Sequence, residues 1–121
     1  MELCLEREGE FRPKGMIETS TRCGPIGSMV YKYYVRIDAT DEALSPEGFI
    51  IENSRVHNYF HTRYCTGRRF TAISCERMAA KASMDIGRRL VKEGISVKQV
   101  TCTIFGSNNA RLTAVWKHEN I

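Results

Sequence analysis

The stretch SMVYKYYVRIDA, residues 28–39, constrains the fold more than any other part of the chain. Aromatic and β-branched residues dominate it, and such side chains suit a pleated, half-buried surface. Tyr31, Tyr33, Val35 and Ile37 fall on one face, and Val30, Lys32, Tyr34 and Arg36 on the other. A strand with one apolar and one polar face needs a packed layer on one side only. The remaining segments must therefore supply neighbouring strands and an apolar cover for that one side.

The cover is legible in FTAISCERMAAKASMDIGRRLVKEG, residues 70–94. Cys75, Met78, Ala79, Ala82, Ile86 and Leu90 recur at steps of three and four, the spacing of an amphipathic helix. Asp85 is placed to pair with Arg89 one turn on. Gly94 sits where a left-handed cap ends a helix. A shorter helix is predicted within FIIENSRVHNYFHTRY, after a brief apolar strand, with Asn53 or Ser54 as its cap. Val56, Tyr59, Phe60 and Arg63 form its face.

Further strands are predicted at 2–8, where Leu3 and Leu5 share a face, and at 96–106 and 109–118 around the turn GSNN. Residues 9–27 carry dense turn chemistry and room for a short extra strand. The expected fold class is α+β: a four-stranded antiparallel sheet with a helix pair on one face, in the order ββααββ. Its other face is rich in Thr, Gln, Lys and Arg. Such a face is either solvated or lines a channel where several sheets join edge to edge into an oligomeric barrel.

At 121 residues the chain is expected to form one domain, 1–121. No run approaches the ~18 apolar residues of a membrane span. The segment MELCLEREGE lacks a basic stretch followed by an apolar one, so no secretion signal is expected and a cytoplasmic location is. Five cysteines, Cys4, Cys23, Cys65, Cys75 and Cys102, form no CxxC pair, and free thiols are expected. A net charge of +4 permits anionic partners without demanding them. Arg63, Arg68 and Arg69 flank Tyr64 and Phe70, a pattern compatible with stacking on single strands. The 14 acidic residues against 18 basic ones dilute that signal.

Three segments carry a resemblance to a known superfamily: YKYYVRID, GFIIENSRVHNYF and SCERMAAKASMDIGRRL. Together with the order ββααββ they resemble the tunnelling fold of dihydroneopterin aldolase and 6-pyruvoyl-tetrahydropterin synthase. The resemblance covers about residues 28–117. It implies a homo-oligomer that binds a purine- or pterin-like heterocycle between subunits, with no membrane partner. The glutamate that opens the second helix in both families falls on Glu76, so Glu76 is the implied ligand anchor. Ser74 and Cys75 would add backbone donors, and Ile51, Glu52 and Asn53 the opposite wall. One carboxylate accepts both N–H groups of a guanine or pterin edge, as it does from a guanidinium.

The catalytic groups of these families are not matched. Met29 and Tyr31 stand where the synthases carry two zinc-binding histidines. Phe105 stands in place of a glutamate, and no lysine follows Lys98 on that strand. His57 and His61, spaced i, i+4, lack the acidic partner of a zinc motif and are expected at the surface. Cys23 is the weak catalytic candidate, against a plain loop thiol; Arg22 is its one basic neighbour in sequence. No metal or cofactor is expected. The alternative functions are an oligomeric interaction module without ligand and a weak single-strand nucleic-acid binder.

Overall fold

The computed structural model describes residues 1–13, 30–65, 74–106 and 110–119. Four strands, β1 (Glu2–Phe11), β2 (Tyr31–Thr40), β3 (Val97–Phe105) and β4 (Arg111–Lys117), form one antiparallel sheet in the order β1-β2-β3-β4. Two helices, α1 (Ser54–Phe60) and α2 (Cys75–Lys92), come between β2 and β3 in sequence. The chain is therefore an α+β protein with an open sheet. A 3-10 turn at Asp41–Ala43 follows β2, and a π turn at His61–Cys65 extends α1.

Register explains which side is covered. Gly9, Tyr33, Ile104 and Leu112 lie side by side across the four strands, as do Leu5, Ile37, Val100 and Trp116. Apart from Gly9, these residues and α2's Met78, Ala79, Ala82, Ile86 and Leu90 belong to one hydrophobic cluster or pack against it. β3 breaks strict alternation at Lys98, where the pairing with β2 slips between Asp38 and Ala39. That one-residue bulge turns both Val97 and Val100 inward.

The opposite face is a polar ladder. Glu2 accepts from Lys98 at 2.7 Å, and Arg36 bridges Asp38 at 3.0 Å and Glu6 at 3.8 Å. Tyr34 donates to Glu6, and Thr103 and Thr113 share a hydrogen bond of 2.8 Å. Cys4 lies on this exposed face rather than packing as a small apolar group, because it alternates with the inward Leu3 and Leu5. Cys102 is buried as expected, and desolvation pushes its thiol up to about 12.

An aromatic cluster docks α1. The Tyr33 ring stacks on Phe60 at 4.2 Å and 14°, and Phe11 lies 5.3 Å from Phe60 and 5.9 Å from Tyr64. The phenol of Tyr33 lies over Gly9 and makes a 3.0 Å hydrogen bond with Nδ1 of His57. A Cβ at Gly9 would fall 2.5 Å from that phenol oxygen. His57 is thus part of the docking and not a plain surface residue, whereas His61 is exposed.

α2 closes the layer. Gly87 lets the Trp116 ring of β4 lie directly on the helix, where a Cβ would come within 2.1 Å of the indole. At its C-terminus the Ile95 N–H bonds the Leu90 carbonyl at 3.0 Å, and Gly94, at φ 84°, bonds Val91 at 3.0 Å. This double bond pattern is a Schellman cap.

Two local expectations fail. Residues 49–53 form no strand: Ser45 donates to the Phe49 carbonyl at 2.7 Å and its hydroxyl accepts from the Phe49 N–H at 3.2 Å. Those groups are spent within a loop, and both sides of β2 are already paired. Asp85 does not pair with Arg89. It accepts from Tyr59 at 2.9 Å and lies 3.8 Å from both Arg63 and Lys81, while Arg89 turns to Glu93 at 3.5 Å. The partners from α1 and the π turn hold Asp85 on the α1 side. The possible extra strand in 9–27 lies largely outside the described residues.

Gly9→Ala should destabilise the fold by about 1–3 kcal/mol, because the Tyr33 ring is locked by Phe60 and cannot step aside freely. Glu8→Ala, on the polar face of the same strand, should cost less than about 0.5 kcal/mol. Urea unfolding of the two variants checks this.

Candidate functional site

The entrance to α2 is built as a helix start. Ser74 is in extended conformation, its hydroxyl accepts from the Arg77 N–H at 3.1 Å, and its carbonyl accepts from Met78 at 2.9 Å. Ser74 is the N-cap, so Cys75, Glu76 and Arg77 are the first three helical residues. The cap consumes the Arg77 donor, and the Glu76 N–H is among the first donors that a helix does not satisfy itself. Glu76 is exposed in this first turn, where the helix dipole favours its charge. Glu76 has no ion-pair partner among the described residues.

Cys75 corrects the expectation of free thiols throughout. It is fully buried and disulfide-bonded, whereas Cys4, Cys65 and Cys102 are free. Burial follows from its place in the apolar stripe of α2. A disulfide is rare in a reducing compartment, so this bond is a departure from the free-thiol reading of the composition. Cys23, the weak catalytic candidate, lies outside the described residues.

Ile51, Glu52 and Asn53 lie just before α1. Ile51 belongs to the core, and Glu52 and Asn53 are exposed. The Asn53 side chain makes no cap bond; the carbonyls of Glu52 and Asn53 receive Arg55 and Val56 at 3.0 and 3.2 Å. The two helices run antiparallel, as two contacts show. Arg55, at the start of α1, donates to Glu93 at 2.6 Å, just past the end of α2; Tyr59, further along α1, donates to Asp85.

This arrangement separates the predicted residues. Glu76 and Glu93 stand 17 residues apart along a helical segment, about 26 Å at 1.5 Å per residue. Glu52 and Asn53 belong with the Glu93 end. Within one chain, Ser74, Cys75 and Glu76 are therefore together, Ile51, Glu52 and Asn53 are together, and the two groups do not meet.

The arginine–aromatic pattern does not make an open stacking surface at Tyr64. Its ring is buried in the aromatic cluster, with Arg63 5.8 Å from its centroid. The apolar period of α1 continues through the π turn and draws Tyr64 inward. Arg68, Arg69 and Phe70 lie outside the described residues. Among the described residues, no three His, Cys, Asp or Glu side chains gather as a metal site. No described helix is long and apolar enough to cross a membrane.

Tyr59 is a site residue that sequence periodicity read only as helix face. Its hydroxyl is largely buried against Asp85, and desolvation, followed by the negative charge nearby, raises it far above the ordinary tyrosine value. It acts as a fixed donor that ties α1 to α2. No protein-family model matches the chain, and no curated protein matches it in sequence.

Ser74→Ala should cost about 1 kcal/mol through the lost cap, while Glu76→Gln should change stability much less, as an exposed first-turn charge. Thermal unfolding of both variants checks this. In denaturant without reductant, Cys4, Cys65 and Cys102 should alkylate and Cys75 should not; peptide mass spectrometry reads the difference.

Proposed function

We propose that the protein assembles edge to edge with copies of itself and binds a flat purine- or pterin-like heterocycle at the joint, with Glu76 as anchor. The observation that carries this reading is the separation of the two walls. Glu76 lies at one end of α2, and Glu52 and Asn53 lie at the other. A pocket that uses both needs two protomers.

The sheet supports such a joint. Among the described residues, β1 and β4 are its two edges. The exposed face of β1 carries Glu2, Glu6, Glu8 and Glu10, and that of β4 carries Arg111 and Lys117. An acidic edge and a basic edge on the same face attract head to tail and disfavour acid-to-acid pairing. Ten residues of β1 are also a long edge to leave open in a monomer. The strand order and the intervening helix pair accord with the resemblance to the tunnelling fold, where such joints hold pterins.

Glu76 supplies a bidentate acceptor for the N–H and NH₂ of the heterocycle. The Glu76 N–H group, in the first turn of α2, supplies a donor for a ring carbonyl or nitrogen. A second reading, assembly without ligand, is favoured by the position of Glu76, which also suits a plain dipole-matching charge.

Light scattering should give a mass several times that of the chain, and a thermal-shift screen with pterin, guanine and urate should find a stabilising ligand. Glu76→Ala should keep the assembly and abolish the shift. An assembled protein stabilised by none of the three leaves the second reading, and a monomer excludes both.

A further inference from the structure

Arg55, Arg88, Arg89 and Lys92 line one open cleft of about 810 Å³ with a single acidic residue, Glu93. Arg55 comes from α1 and the others from the last turns of α2, so the fold rather than the local sequence gathers them. Four cations face one carboxylate there. Glu93 is committed to Arg55 at 2.6 Å and to Arg89 at 3.5 Å, and the Arg55 hydrogen bond above all holds its carboxyl below the usual range. Arg88 and Lys92 make no ion pair among the described residues. The cleft thus keeps an uncompensated positive charge, and Glu93 holds two of its guanidinium groups in place.

We propose that this cleft binds an oligophosphate group. Guanidinium forks match phosphate oxygens two at a time, and an ammonium adds a point charge that tolerates several geometries. Among the described residues no aromatic or apolar side chain lines the cleft, so it recognises the phosphate chain and leaves any attached base or sugar unread. The single carboxylate selects against weakly charged anions, since a ligand must outweigh it to enter. This site is at the Glu93 end of α2 and does not depend on the heterocycle reading.

The test is calorimetric titration of the full chain with sodium tripolyphosphate, ATP and adenosine at about 100 mM salt, where long-range surface attraction is screened. Tripolyphosphate and ATP should bind saturably with similar affinity, and adenosine should not bind. The double variant Arg88→Gln/Lys92→Gln should weaken both by roughly tenfold or more. A control of equal charge change away from the cleft, Arg12→Gln/Lys32→Gln, should stay within about twofold of the wild type. All four positions are exposed, so circular dichroism should be unchanged in both variants. Absence of saturable tripolyphosphate binding overturns the proposal. So does a similar loss in the two double variants, which would mean diffuse attraction to a basic protein, and so does tighter binding of adenosine than of tripolyphosphate.

Discussion

The Tyr33 ring is the contact on which the layering of this protein depends. It leaves β2, crosses β1 in the space that Gly9 keeps open, stacks flat on Phe60 and bonds His57 through its hydroxyl. One side chain therefore fixes two strands and a helix to each other. α1 is only seven residues long, too short to be stable as an isolated helix. Its position comes from this aromatic contact, from Val56 in the core, and from the polar ties of Tyr59 and Arg55 to α2. The apolar part supplies the driving force, and the polar part selects the direction in which α1 runs.

That direction decides what the surface can do. Because Arg55 meets Glu93 and Tyr59 meets Asp85, the start of α1 lies at the far end of α2 from Glu76. The same geometry creates two separate surfaces. One end presents a capped helix start with an exposed carboxylate. The other presents a basic cleft around Glu93 and the exposed Glu52 and Asn53. In the assembly proposed above, the acidic β1 and basic β4 would give an edge-to-edge repeat of the sheet its polarity.

What was legible in the sequence is what local period encodes. The alternation in residues 31–37 gives the two faces of β2, and the three-and-four spacing from Cys75 to Leu90 gives the buried stripe of α2. Gly94 marks the C-terminal cap. The misses involve partners far apart in the chain. Asp85 chooses Tyr59 and Arg63 over Arg89, and nothing within one turn of helix discloses that. The apolar run at 49–51 reads as a strand by composition, but the sheet has no open position beside β2. The disulfide at Cys75 and the exposure of Cys4 depend on tertiary placement that spacing alone does not carry. The candidate site was legible as a set of residue types and not as an arrangement: the sequence does not disclose that the antiparallel helices place Glu76 and Asn53 at opposite ends of α2.

The central claim is that the two walls come from different protomers, and subunit mixing tests it most directly. Glu76→Ala alone and Glu52→Ala/Asn53→Ala alone should each form the assembly and fail to bind the heterocycle identified by thermal shift. Dissociated and reassembled together, the two variants should recover a fraction of the sites, because some joints then pair an intact Glu76 with an intact Glu52 and Asn53. A mixture as silent as its parents, under conditions where exchange of subunits is verified by native mass spectrometry, would contradict the shared pocket.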